Sequence, residues 1–449
     1  MPSAPAVRSR SSTSAVLWLR RPSRLTPAVV PVLPVVPVAP VPPVVPVAPV
    51  PPAVSVPTVA PLPSGPPFVL FTRPFSPVLA LWQQRCESRG MTGTPLRVGL
   101  VGYGLAGSVF HAPLITAAEG LALDTVVTSN PERQQQARAE FPDVRIAATP
   151  DELLERAGEL DLIVIASPNR THVPLATAAL KAGLPVVVDK PLAGTAAEAR
   201  ELAALAEERG LLLSVFQNRR WDNDFLTLRK LVSEGTLGDV YRFESRFERW
   251  RPELKGGWRE SGDPAEIGGL LYDLGSHVVD QALVLFGPVT SVYAEAVVRR
   301  EGARTDDDTF IALTHANGVR SHLYVSATTA LLGPRFRVLG SEAGYVKHGL
   351  DPQEAALRDG LRPGTGSGAD WGTEPEKLWG RVGAGESPMT GGGRAEPTLP
   401  GDYPAYYTAV AKALLEGGPN PVTAQEAAAA LDVLEAARRS ADEKVTVTL

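Results

Sequence analysis

The hydrophobic pattern of the chain takes three successive forms. From Pro27 to Pro67 apolar residues alternate with prolines. From residue 96 they gather in short unbroken runs, LRVGLVG, LALDTVVTSN, DLIVIASPNRTH and LPVVVDKPLA. Stretches with helical spacing, such as VPLATAALKAG, separate these runs. Unbroken apolar runs suit strands buried on both faces, and strands that alternate with helices predict a parallel, doubly wound sheet. After Gly210 the pattern changes again. LLLSVFQNRRWDNDFLTLRKL predicts a strand leading into a helix. VYRFESRFERW, TSVYAEAVVRR, TFIALTHANGVRSHLYVSA and FRVLGSEAGYVKHG then show strand alternation with Gly and Asn-Gly turns. Few helices lie between them, which predicts an α+β domain on a large open, mostly antiparallel sheet. A Gly/Pro-rich piece from about Arg362 to Gly401 is expected to be a long loop. TAQEAAAALDVLEAARRS (423–440) predicts a helix capped by Thr423.

The predicted organisation is therefore an extension over residues 1–93, an α/β Rossmann domain over 94–214 and an α+β substrate and oligomerisation domain over 215–449. Composition explains the first part. The run VVPVLPVVPVAPVPPVV denies a helix its geometry and a sheet its donors, so the extension is expected to be disordered or polyproline-like. Its arginines and serines without acids also fit a transit peptide. Met91, directly before TGTPLRVGLVGYG, favours a non-native or mis-assigned extension. No proline-free apolar run is long enough for a membrane span, so a soluble, cytoplasmic protein is expected. Residues 1–86 hold seven arginines and no acid, within a formal charge of −5 for the 449-residue chain. The globular part is thus the acidic part, which disfavours nucleic acid as a partner. The only cysteine, Cys86, lies in the extension and excludes both internal disulfides and thiolate metal sites.

Candidate chemistry begins at the first strand's end. Gly102, Gly104 and Gly107 have GxGxxG spacing, with Leu105 and Ala106 between the second and third. The first glycine serves the tight turn, the second the approach of a pyrophosphate, and the third the packing of helix on strand. Phosphate charge would rest on the helix N-terminus. The end of the second strand carries Ser129 and Asn130, followed by Arg133. Asp124 lies too early in that strand to reach a ribose. Uncharged donors with an arginine suit a 2′-phosphate, so NADP is expected rather than NAD. Ser167, Pro168, Asn169 and His172 at one strand end, and Asp189 and Lys190 at another, are the further cofactor candidates, and no metal is needed.

In GLLYDLGSHVVD (269–280), Asp273, His277 and Asp280 have the spacing of one helical face. Either a core network or a catalytic site would explain them. GYGLAGSVFHAP, the DKP at 189–191 and this stretch together resemble the glucose–fructose oxidoreductase/inositol dehydrogenase/rhizopine-catabolism family, from about Leu96 onward. NRRWDNDFLT, RPELKGGWRE and GPRFRVLGSEAGYVKHG are most similar to its NADP-dependent scyllo-inositol 2-dehydrogenases. The resemblance implies a Rossmann domain plus an open-sheet domain and NAD(P)-dependent oxidation of a polyol or sugar. It also implies a functional trio matching Lys190, Asp273 and His277. Asp189 departs from the family's usual Glu.

In that trio, the chemistry suits His277 as general base, Asp273 as its orienter or as a hydroxyl ligand, and Lys190 as stabiliser of an alkoxide. Asp280 is expected to fasten the helix, and Gly269 and Gly275 to admit a ligand to the backbone. His111 is expected to shape the cofactor pocket. Asn218, Arg220, Trp221 and Asp222 are the substrate candidates, with Arg251 and Arg259 as further contributors. A small-molecule substrate and a homo-oligomer are expected. The alternatives are a dehydrogenase of another sugar, a glycosidase with a tightly held NAD, and a non-catalytic NADP-binding regulator.

Overall fold

The computed structural model describes residues 94–257, 260, 262–263, 266–364, 370–385 and 392–449. The expectations for residues 1–93, and for Arg259, lie outside the described residues. Within them the two sheets predicted from the apolar pattern are present. Six strands, β1 (Leu96–Val101), β2 (Leu121–Val127), β3 (Arg145–Ala147), β4 (Leu162–Ile165), β5 (Val186–Asp189) and β6 (Leu213–Phe216), form a parallel sheet in the order β3-β2-β1-β4-β5-β6. β4 is buried along its whole length, as are the valines of β5, because helices cover both faces. The order reverses between β1 and β4, so the loops that leave these two strands flank a crevice at their carboxyl ends.

The second sheet has nine strands. Seven are β7 (Val240–Glu248), β8 (Val289–Val297), β9 (Asp308–His315), β10 (Arg320–Ser326), β11 (Phe336–Gly340), β12 (Gly344–Lys347) and β15 (Val447–Thr448). The other two, β13 (Gly380–Gly383) and β14 (Arg394–Glu396), fall in the segment expected to be a loop. These strands are short, too brief for a periodic signal, and they extend the sheet beyond β12. The order is β14-β13-β12-β11-β7-β10-β9-β8-β15, antiparallel apart from the central β7–β10 pair. Alternating burial along β9 and β10 marks a sheet covered on one face only.

Two helices press on that covered face, Gly275–Phe286 and Ala424–Glu443. The second is the capped helix expected from Thr423, and Thr423 and Glu426 form a reciprocal capping box. It also binds the first domain. Its Glu435 accepts from the Ala196 amide at 2.7 Å, at the start of the helix Ala196–Arg209. The segment before it covers the outer edge of β6. Val215 N donates to Val422 O at 3.2 Å, and Asn420 Nδ2 donates to Leu213 O at 2.8 Å.

The stretch at 269–280 folds differently from the single helical face its spacing suggests. It forms a short helix, Leu270–Asp273, then a break at Leu274, then the long helix Gly275–Phe286. The break turns its polar groups toward separate partners. Asp280 takes Arg220 in a buried two-point pair, Nε to Oδ2 at 2.8 Å and Nη2 to Oδ1 at 2.7 Å, which fastens the helix to the turn after β6. Gly269 lines the cleft described below, and the two glycines differ in what packs against them. Gly269 has φ of +94°, and a Cβ there would stand 2.3 Å from Asp306 Oδ1. At Gly275 a Cβ would stand 3.5 Å from Leu434 of the last long helix.

Because breaking a buried pair strands its partner's charge, Asp280→Ala is expected to cost about 3–5 kcal/mol. Urea unfolding followed by circular dichroism measures this. A loss below about 1 kcal/mol would mean that the pair does not hold the helix.

Candidate active site

The crevice between the two sheets opens into a cleft of about 440 Å³, lined from the first domain by Leu105, Ala106, His111, Asp189 and Lys190. Its phosphate end is built by the glycine loop, and the three glycines differ in what constrains them. A Cβ on Gly102, whose φ is +98°, would lie 2.6 Å from Ala166 O, and one on Gly107 would lie 2.0 Å from Gly102 O. The fold itself therefore requires these two. A Cβ on Gly104 would meet nothing closer than Arg133 Nη1, at 3.8 Å. No protein atom explains this glycine, so the residues fit a dinucleotide whose phosphates approach that backbone. The helix that follows opens as a π-helix, Ala106–His111, and continues as Ala112–Ala117.

Arg133 reaches over this loop and, among the described residues, its guanidinium makes no ion pair. Asn130 spends its side chain as the cap of the helix Pro131–Glu140, accepting from Arg133 N at 3.0 Å, while Ser129 stays exposed beside it. Asp124 is paired with Arg145 at 2.6 Å, which agrees with its exclusion as a ribose ligand. Ser167 and Thr171 exchange a hydroxyl bond of 2.6 Å beyond Pro168. The side chain of Asn169 turns away from the cleft, donating to Glu266 O at 3.1 Å.

His172 is buried and its ring joins two loops, with Nδ1 2.7 Å from Pro191 O and Nε2 2.9 Å from Ser167 O. Burial pushes its pKa down. Asp189, whose enclosure opposes ionisation, is nevertheless held below the usual carboxylate range by His111, Lys190 and His172. Its Oδ1 stands 3.7 Å from His111 Nε2, beyond hydrogen-bond reach. That nitrogen is buried and has no hydrogen-bond partner among the described residues, so it is available to a group in the cleft.

The reactive groups meet where β5 ends. Lys190 Nζ donates to Asp273 Oδ1 at 2.9 Å and to Asp273 O at 2.5 Å, which joins the Rossmann sheet to the short helix of the second domain. An ammonium has three donors, so one remains for a ligand oxygen. His277, 5% exposed, lines the same cleft. The group that meets its Nδ1 is Gln217 Oε1, at 3.2 Å, rather than the expected Asp273. With an amide oxygen accepting, Nδ1 carries the proton and Nε2 is left unprotonated. Burial first, then the charges of Lys190 and Arg219, push the imidazole's pKa well below 6.5.

The turn after β6 distributes its residues unevenly. Asn218 and Arg219 line the cleft. Arg220, expected to meet substrate, is turned into the core by Asp280 and Glu426. Trp221 packs edge-on against Tyr406 at 5.4 Å, and Asp222 is buried, accepting from Tyr403 OH at 2.7 Å. The one-residue geometry of a 3-10 turn, Asn218–Trp221, decides which of two adjacent arginines faces the cleft, and residue type alone does not reveal it. Gln217 and Arg219 were missed for that reason. The signal that could have found Gln217 is its place at the carboxyl end of a buried strand, as with Lys190.

Comparison with known proteins accords with this geometry. Residues 96–217 match the family described as the oxidoreductase family, NAD-binding Rossmann fold, and residues 229–449 match its C-terminal alpha/beta domain. Oxidoreductase YdgJ of Escherichia coli (strain K12) is 43% identical over 360 residues, covering 79% of this chain and 99% of that one. The scyllo-inositol 2-dehydrogenase (NADP(+)) IolW of Bacillus subtilis (strain 168) is 37% identical over 357 residues, covering 79% and 96%. The solved structure of the oxidoreductase yvaA from Bacillus subtilis superposes with a TM-score of 0.73 at 36% identity, over 79% of this chain and 98% of that one.

The glycines separate folding from binding. Gly104→Ala is expected to leave the melting temperature within a few degrees while weakening dinucleotide affinity by roughly tenfold or more. Gly107→Ala, which sets Cβ against backbone, is expected to destabilise by about 2 kcal/mol or more. Thermal melts beside fluorescence titration with NADPH measure both. Unaltered affinity in Gly104→Ala would place the phosphates elsewhere.

Proposed function

The chain belongs to the glucose–fructose oxidoreductase/inositol dehydrogenase/rhizopine-catabolism family of oxidoreductases, and from that premise we propose that it is an NADP-dependent dehydrogenase of a cyclic polyol or sugar. Scyllo-inositol and its 2-keto form are the first candidates. The observation that carries the reading is the meeting of a neutral imidazole, His277, with a lysine clasped to Asp273, across the crevice from the glycine loop. The nicotinamide, when bound, supplies hydride acceptance or donation. The chain's own residues handle the proton. His277 Nε2 takes it from the substrate hydroxyl in oxidation and returns it in reduction. The remaining donor of Lys190 stabilises oxyanion character on that oxygen, and Asp273 holds the ammonium in place from two directions. Gln217 keeps the imidazole in the useful tautomer.

NADP rather than NAD is supported by the exposed, unpaired Arg133 over the glycine loop, by the diversion of Asp124 to Arg145, and by the cofactor in the printed name of IolW. That name also supports scyllo-inositol. The cofactor-holding residues are Gly102, Gly104 and Gly107, Leu105 and Ala106, Ser129 and Arg133, and Asp189. Asn218 and Arg219 replace Arg220, Trp221 and Asp222 as the substrate contacts from their turn. A regulator needs no proton-transfer trio, and this cleft has one.

We further propose a cytoplasmic homo-oligomer. Among the described residues no helix is long and apolar enough to cross a membrane. The face of the second sheet left uncovered by helices carries Phe310 in ring contact with Tyr293 and Tyr324, with the Arg246 guanidinium stacked on Tyr324, an aromatic surface that a second copy would cover.

His277→Ala is expected to lower kcat by about 10²- to 10⁴-fold while NADPH binding stays measurable. In the unaltered enzyme the acid limb of kcat/KM for oxidation should fall below pH 6.5, because the folded imidazole loses its proton more readily than an ordinary histidine. A limb at or above that pH would assign the base to another group. A panel of inositols and sugars, followed by nicotinamide absorbance with both cofactors, tests the substrate and cofactor. Turnover of other sugars but no inositol removes the named substrate, and a strong NAD preference removes NADP.

A further inference from the structure

Charge along the cleft is unevenly neutralised. Its carboxylates are all engaged: Asp189 beside His111 and the Lys190 amide, Asp273 with Lys190, and Glu260 with Arg300 at 3.1 Å. Asp306 is engaged by Arg438, and Glu354 by Arg219 and Arg358. Three cations that line the same cleft are not. Among the described residues, the side chains of Arg249, Arg251 and Lys255 form no ion pair or hydrogen bond.

The backbone builds this surplus deliberately into one face. Beyond the end of β7 the chain stays extended, with Arg249 N donating to Ser326 O at 2.8 Å and Arg251 N to Ala327 O at 2.7 Å. Trp250 pairs with Thr328 between them and is 57% exposed. Alternation along an extended chain therefore sets Arg249 and Arg251 side by side toward the cleft, with Trp250 on the opposite face. Beneath them the Phe247 ring lies 5.1 Å from the Arg249 guanidinium and 5.1 Å from that of Arg219, a contact that offsets part of the crowding of like charge. The crowding is nonetheless felt. Burial first, then Arg251 and Arg219, push the Arg249 pKa down to about 10.

A guanidinium crowded by like charge and left without an acceptor is a receptor for an anion. The cofactor's phosphates already have a place at the glycine loop of the other domain. Arg249 instead shares its surroundings with Arg219, Glu354 and Asp273, on the side of the reactive groups. We propose that the substrate carries an anionic substituent, a carboxylate or a phosphate ester, which Arg249 and Arg251 receive while a ring or chain hydroxyl faces Lys190 and His277. This rests on the dehydrogenase reading above and moves its substrate from neutral scyllo-inositol to polyhydroxy acids or polyol phosphates.

Matched substrates on the NADP-loaded enzyme test it: glucose against glucuronate and glucose 6-phosphate, and myo-inositol against its 1-phosphate. The kcat/KM for at least one anionic member should exceed that of its neutral counterpart by roughly 10- to 100-fold. The carboxylate and phosphate arms identify which group is recognised. Arg249→Gln should cut that ratio by about tenfold, mostly through KM, and added salt should narrow it.

Equal or better use of the neutral members, or a ratio unmoved by Arg249→Gln and by the double variant with Arg251→Gln, would overturn the proposal. So would a loss of NADPH affinity as large as the loss of anion affinity, since the cations would then serve the cofactor. Calorimetric binding of the same compounds keeps the two readings apart. Anion-dependent binding without turnover of any compound would sink the dehydrogenase reading while upholding anion recognition. Turnover without anion preference would do the reverse.

Discussion

The site depends on one contact, the clasp of Lys190 by Asp273. It is the point where the carboxyl end of a Rossmann strand meets a helix of the other domain, with the ammonium held by both the carboxylate and the backbone carbonyl of one residue. Two constraints meet there. Strand β5 must deliver a lysine to the crevice, and the chain must break at Leu274, where the Asp273 carbonyl accepts from Lys190 Nζ as well as from Ser276 Oγ of the longer helix. A continuous helix through 269–280 would have spent that carbonyl on its own ladder. The same lysine charge adds to burial in depressing the neighbouring imidazole's pKa, so one group contributes to both position and proton affinity.

Around this clasp the molecule keeps several buried charges in assigned pairs. Arg220 with Asp280 and Glu426 stabilises the join between the β6 turn and two helices of the second domain. Its neighbour Arg219 faces the cleft between Tyr403 and Glu354. Two adjacent residues of identical chemistry thus have different tasks, one tying domains and the other lining a site. Buried ion pairs of this kind add little net stability, but they penalise any arrangement that would leave one member alone. The geometry of the site is specified through that penalty.

How much of this was legible in the sequence follows from the range of each signal. The glycine loop and the presence of Lys190 and His277 in one cleft could be read because these residues stand at strand ends and in short fixed spacings. The two sheets could be read from apolar runs in one half and alternation in the other. The partner of His277 could not, because Gln217 is 60 residues away and carries no distinctive spacing. Nor could the choice between Arg219 and Arg220, which a single 3-10 turn decides. The stretch at 269–280 misled through its period. Steps of four and three residues describe one face only if the helix is unbroken, and Gly269 and Leu274 are where it is not. Strands β13 and β14 went unseen because strands of three or four residues within a Gly/Pro-rich segment hold no period at all.

The cover on strand β6 bears on how the chain can be assembled. The outer edge of the Rossmann sheet is closed by residues 420–423, some two hundred positions later in the chain. The centre of the second sheet likewise joins β7 to β10 across a long separation. During synthesis the first domain's strands emerge early and wait with one edge open, the condition that invites pairing with another chain. Contacts this distant slow the search for the native arrangement. The segment before the last long helix therefore closes that edge of the first sheet only late in synthesis, so it completes the sheet's cover as well as bracing the two domains.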